Sequence, residues 1–240
     1  MFFLLSGEGP TDLGVPATAE NSARGAKFSP GPLAMLVDQL VESAHGYSPH
    51  ESNVMGFVSK SGLTVRASSL KAQKKSVRLP GKKREKETRY FYNNARLLAK
   101  IALDRTAQLR DDVVAILFRD ADGTASSDRG EWAAKHKSML DGFADEQFFN
   151  GVPMVAKPKS EAWLLCALKS KYRDCDRLED RSGNDNSKDS LKAELAEHLG
   201  KVVNREVLCN LVKSKSIDPD HIQMPSFVAF RKHFLEVINS

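Results

Sequence analysis

Residues 113–124 read VVAILFRDADGT, and the fold follows from how this stretch is read. Val113 to Phe118 is a short apolar run rich in β-branched residues, the mark of a buried strand. It stops abruptly at Asp120, Asp122 and Gly123. Open α/β sheets bind their ligands just past the carboxyl ends of such strands. Two carboxylates one residue apart, beside a turn glycine, suit a hard divalent cation.

The first dozen residues repeat the pattern. Phe2–Leu5 is an apolar tetrad, and Ser6-Gly7-Glu8-Gly9-Pro10-Thr11-Asp12 follows it. This predicts a strand, a Gly-rich turn and the first turn of a helix or helical loop. Glu8 and Asp12 are four apart, so a helical turn would set both on one face. Four acids then stand past two strands, and like charges in a poorly solvated site repel strongly. One or two Mg²⁺ (or Mn²⁺) ions would neutralise them. A single D-x-D, by contrast, is more often a cap or a salt-bridge partner.

Between these clusters, residues 14–32 are rich in Gly, Pro, Ala and Ser and read as a loop. Pro32 opens a helix with Leu33, Leu36, Val37, Leu40 and Val41 on one face. Val54–Val58 is a candidate strand, with Leu63–Val65 a candidate hairpin partner. Thr88 to about Arg110 is the longest helical pattern. Past the acidic turn, a helix carrying Trp132 is expected from about Asp128 to Leu140, then the strand Gly151–Ala156. Ser160 is the expected cap of a helix with Glu161 in its first turn. The charged stretch 174–189 reads as an exposed loop. Helices follow over 188–200, 204–213 and 226–238. Strand and helix alternate to about residue 170, which argues an α/β fold with a mostly parallel sheet flanked by helices. The expected division is a catalytic region over 1–170, with a basic insertion around 60–90, and a helical C-terminal appendage over 171–240.

The 240 residues are 41% hydrophobic, enough for a substantial core, and carry a net charge of +5. No apolar run approaches the ~18 residues of a membrane span, and Met1–Leu5 lacks a signal peptide's basic start, so a cytoplasmic protein without a membrane partner is expected. Cys166, Cys175 and Cys209 have no C-x-x-C spacing and argue against a disulfide framework or a structural zinc site. The positive charge is concentrated. Lys71, Lys74, Lys75, Arg78, Lys82, Lys83, Arg84, Lys86 and Arg89 face only Glu85 and Glu87. Such a run serves equally as a solvated face or as a surface for nucleic acid, through phosphate neutralisation and counterion release. Tyr90, Phe91 and Tyr92 follow at once and could stack on unpaired bases, although Phe91 reads as helix core.

Taken together, FFLLSGEGPTD resembles the opening of a TOPRIM domain, and LFRDADGT resembles that domain's second acidic motif. The E-G-x-T-D form is closer to OLD-type nucleases than to topoisomerases. MVAKPKSEAWLL is similar to a segment of small bacterial TOPRIM-like proteins. The resemblance spans about Met1 to Lys169. It implies a TOPRIM/Rossmann-like fold and a Mg²⁺-dependent nuclease acting on DNA before RNA, in a protein of anti-phage or mobile-element defence. Glu8 would be general base or metal ligand, Asp120 and Asp122 would bind the ion, and Asp12 would help hold a second. Lys159, ahead of Lys157, would steady charge on the cleaved phosphate. Glu161 would be a further ligand or only a helix cap. Lys74, Lys75, Lys82, Lys83, Arg84 and Arg89 would contact nucleic acid. OLD-type nucleases carry an ATPase domain, and no G-x-x-x-x-G-K-[ST] motif occurs in these 240 residues, so an ATPase would be a separate subunit or absent. The reading is compatible with a homodimer.

Two rivals stand beside it. Asp120-Ala121-Asp122-Gly123-Thr124 is letter for letter the first motif of haloacid-dehalogenase-like phosphatases, with Asp120 as nucleophile and Asp122 as acid/base. That reading leaves Glu8 and Asp12 unused. Its later acidic motif would have to be Ser182-Gly183-Asn184-Asp185, which follows a charged run and no strand. The other rival is a non-catalytic nucleic-acid-binding subunit with structural acids.

Overall fold

The apolar start of the chain forms β1 (Phe2–Ser6), buried along its whole length. The computed structural model describes residues 1–9, 11–18, 20–73, 86–121, 131–169, 175–200 and 203–240. The stretch expected to be a loop over 14–32 contains three short strands, β2 (Gly14–Pro16), β3 (Ser22–Arg24) and β4 (Phe28–Pro30). Three residues are too few to register as a period-2 pattern, which is why the sequence hid them. β2 and β4 pair antiparallel as a ribbon of their own.

Helix α1 (Pro32–His45) begins on its proline and ends at Gly46, whose φ of 75° supplies the left-handed cap. β5 (Met55–Val58) follows. The expected hairpin partner Leu63–Val65 lies inside a helix instead, α2 (Lys60–Gln73). Only Leu63 of the three is buried, and one buried position in three does not make a strand. Helix α3 (Lys86–Leu109) starts within the expected basic insertion, so the basic run is helical at both ends. The interior of that run, with Lys74, Lys75, Lys82, Lys83 and Arg84, lies outside the described residues. Arg89 is exposed in the first turns of α3. Then come β6 (Val113–Asp120), α4 (Trp132–Ala144), β7 (Gly151–Ala156), α5 (Ser160–Leu168), α6 (Leu191–Leu199), α7 (Arg205–Lys213) and α8 (Pro225–Ile238).

The fold is α/β. Among the described residues five strands make the main sheet, in the order β3-β5-β1-β6-β7, with only β3 antiparallel to its neighbour. From β1 the chain steps to β5 on one side, then crosses back to β6 and continues outward to β7. Strand order therefore reverses between β1 and β6. A crevice opens at the carboxyl ends of two such strands. The register sets Ser6 beside Leu117 and Asp120 beside Ala156.

Both faces of the sheet are covered, as parallel strands require. Phe3, Leu5, Ile116 and Phe118 point into one cluster with α1, α5 and α8. Phe2, Leu4, Ala115 and Leu117 point into the other with α3 and α4. The residues after 170 join the first cluster. Phe227, Phe230 and Phe234 of α8 pack on Trp163 and Phe3, with ring centroids 5.1 to 6.3 Å apart. The stretch expected to be a wholly exposed loop over 174–189 includes a 3₁₀ turn (Cys175–Asp180) with Cys175, Leu178 and Glu179 buried. Cys175 is disulfide-bonded to Cys166 of α5, a single bridge where the spacing argued against a disulfide framework. The two stand nine positions apart, one in α5 and one in the following 3₁₀ turn. Among the described residues no helix is long and apolar enough to cross a membrane.

Candidate functional site

Asp120 is the last residue of β6, and its carboxylate reaches the start of α5. There the Ser160 amide donates to Asp120 Oδ1 at 2.9 Å. An acid at a helix N-terminus accepts the orphan amide and meets the positive end of the dipole. Ser160 is thus not the cap that the sequence suggested. Lys159 holds the cap position without a side-chain hydrogen bond, and Asp120 does the capping from a neighbouring strand.

The Ser160 hydroxyl is also engaged. It donates to Asp12 Oδ1 at 2.7 Å and lies 3.5 Å from Glu161 Oε2. One buried serine therefore gathers three carboxylates from three segments: the loop after β1, the end of β6 and the start of α5. Asp12 is anchored by its backbone as well, since its carbonyl accepts the Leu33 amide at the head of α1. Gly9 makes room for it. Its φ is 71°, and a Cβ there would stand 2.7 Å from Asp12 Oδ2.

This crowding shifts the acids away from the ordinary carboxylate range. Burial raises Asp12 to about 6, and the Ser160 hydrogen bond only partly opposes that; Glu161 and Glu8 push the same way as burial. Burial also lifts Asp120 well above the ordinary carboxylate range, helped by the charges of Asp12 and Glu161. Lys159 flanks the cluster. Burial would lower its pKa, but the bond to Asp185 and the charges of Glu161, Asp185 and Asp120 outweigh burial and raise it. Its ammonium donates to Asp185 and, at 3.1 Å, to the Gly183 carbonyl.

Glu8 takes a different course from the one expected. The helical turn that would have set it beside Asp12 does not form, because residues 11–13 are a turn and Gly9 leaves the helical region. The Glu8 carboxylate accepts the Tyr90 hydroxyl at 2.7 Å and stands 3.5 Å from Arg119 Nε. So Asp12, Asp120 and Glu161 come together with Lys159 beside them, while Glu8 sits at the rim on Tyr90 and Arg119. Asp122 lies outside the described residues. Among those described, no three His, Cys, Asp or Glu side chains already form a group that could hold a metal ion.

Two participants were missed in the sequence, and a third entered only through the phosphatase rival. Ser160 reads as an ordinary cap, and nothing local marks it as the hub. Asp185, named only as that rival's later acid, bonds Lys159. Arg119 did leave a signal, a charged residue inside an apolar strand, where it is fully buried. Comparison with family models, with curated proteins and with solved structures finds no match to this chain.

Proposed function

We propose that this chain is a divalent-metal-dependent phosphodiesterase of TOPRIM-like, Rossmann-like architecture that cleaves nucleic acid, DNA before RNA. The observation that carries the reading is the convergence of Asp12, Asp120 and Glu161 on Ser160 where strand order reverses. Burial and mutual repulsion raise both Asp12 and Asp120, and a divalent cation beside them would favour their charged forms. The donor set is all oxygen, which fits Mg²⁺ or Mn²⁺ and not a soft metal. Asp122, two residues past Asp120 in the sequence, would be a further ligand by the same resemblance.

Asp12, Asp120 and Glu161 would hold the divalent cation, which would supply an activated water and offset charge on the phosphoryl oxygens. The chain's own groups supply the rest. Asp12, Asp120 and Glu161 bind and orient. Lys159, held between Asp185 and the acids, brings a cation to the negative charge that builds at phosphorus. Glu8, held at the rim by Tyr90 and Arg119 in this structure, would take a proton from the attacking water once it turned toward the cluster. The charge of +5 and the basic run before α3 favour a polyanionic substrate.

The test is cleavage of plasmid and single-stranded DNA with Mg²⁺, Mn²⁺ or chelator. The expected outcome is metal-dependent cleavage that Asp120→Ala and Glu161→Ala each reduce by at least 100-fold. Hydrolysis of a simple phosphomonoester, lost with Asp120→Ala and untouched by Glu161→Ala and Glu8→Ala, would overturn the reading in favour of a phosphatase.

A further inference from the structure

Arg119 interrupts a strand whose other members, Asp120 apart, are apolar, and its side chain is 1% exposed. A guanidinium brings five N–H donors. Here Nη1 donates to the Phe118 carbonyl at 2.7 Å, while Nε and Nη2 lack a hydrogen-bond partner among the described residues. A buried charge left this bare calls for an anion. The anion at hand is Glu8, but it is a loose partner: it stands 3.5 Å from Nε, and its side chain is 40% exposed. The Tyr90 hydroxyl pins the same Glu8 oxygen. Two cations converge on the Tyr90 ring, Arg119 Cζ at 5.6 Å and Lys60 Nζ at 5.8 Å from its centroid. Arg119 and Lys60 bring two positive charges to this seat, against Glu8 at contact range and the field of Asp120.

We propose that Arg119 and Tyr90, with Lys60 beside them, form an oxyanion seat that Glu8 occupies in the unliganded protein and that a phosphate of the bound nucleic acid takes over. The exchange frees the Glu8 carboxylate to turn toward Asp12 and Asp120. Substrate binding then completes the acidic site, and the unliganded protein is held short of its full set of carboxylates. The inference rests on the reading of Asp12, Asp120 and Glu161 as a cation site. It adds that Tyr90 and Arg119 are positioning residues that act through Glu8.

The experiment titrates Mn²⁺ into the full chain and follows unbound Mn²⁺ by electron paramagnetic resonance. It is run alone and with a short single-stranded phosphorothioate oligonucleotide that resists cleavage. Tyr90→Phe removes the hydroxyl and keeps the ring in its edge-on contact with Phe91. A hydrogen bond to a charged group is lost, so Tyr90→Phe should bind Mn²⁺ about tenfold more tightly than the unmodified chain without oligonucleotide. In the unmodified chain the oligonucleotide should tighten Mn²⁺ by a similar factor, and in Tyr90→Phe it should add little. Mn²⁺ affinity that depends on Asp120 but is unchanged or weaker in Tyr90→Phe overturns the seat and leaves the cation site standing. Mn²⁺ that fails to bind, or that binds equally well to Asp120→Asn, overturns the cation site and the seat together.

Discussion

Asp12 makes the electrostatics of the site measurable at a single residue. Its pKa is raised from 3.8 to about 6, chiefly by burial. Between those values the folded chain binds a proton that the unfolded chain has released, so this residue's contribution to stability falls as pH climbs from about 4 to about 6. Above pH 6 the cost is fully present. Asn keeps the acceptor for the Ser160 hydroxyl and carries no charge. Metal-free Asp12→Asn should therefore be more stable than the unmodified chain at pH 7, by up to about 3 kcal/mol, with the difference vanishing near pH 4. Denaturant titrations of both proteins across that range check this. A difference that does not vary with pH would mean that Asp12 titrates as an ordinary surface acid. Other carboxylates pull the whole-protein profile in both directions: Asp38 is raised by burial, whereas the bond to Lys159 lowers Asp185. For this reason the paired comparison, not the bare profile, carries the information.

At the scale of elements, the site hangs on a short helix. α5 has nine residues, too few to hold itself. Its first turn is fixed by Asp120 and Asp12, and its body is fixed by the C-terminal region. The fully buried Trp163 donates through Nε1 to Ser226 Oγ at 2.9 Å, and its ring lies against Phe227 and Phe230. Glu179, buried in the turn that carries Cys175, accepts the Ser226 amide at 2.6 Å. The helices after residue 170 thus brace the element that presents Ser160 and Glu161. Phe230→Ala empties the centre of this aromatic stack and should cost about 3 to 5 kcal/mol in a denaturant titration. A cost under 1 kcal/mol would show that the tail is a loosely attached layer and that α5 is held by other means.

For the whole molecule, the parts legible in the sequence were those that repeat. Four parallel strands were marked by continuous apolar runs, and α1, α3 and α8 by apolar residues at helical spacing. What escaped had too little pattern or depended on distant partners. β2 and β4 are three residues each and form only because they pair. Leu63–Val65 could be strand or helix by its letters, and its packing decided. Cys166 and Cys175, nine positions apart, obey no spacing rule. The site divides in the same way. That acids stand past β1 and β6 was readable from the apolar runs before them. That Asp12, Asp120 and Glu161 share one serine required the strand order, which no local motif encodes. The course of Glu8 required Tyr90, 82 residues further on, and a buried arginine. The central claim is that the carboxylates gathered at Ser160 hold a divalent cation. It is tested most directly by the anomalous scattering of a crystal of this protein soaked in Mn²⁺. The account predicts a peak at about 2.1 Å from carboxylate oxygens of both Asp12 and Asp120. A soaked crystal with no peak there, or with Mn²⁺ only at surface acids away from Ser160, would contradict it.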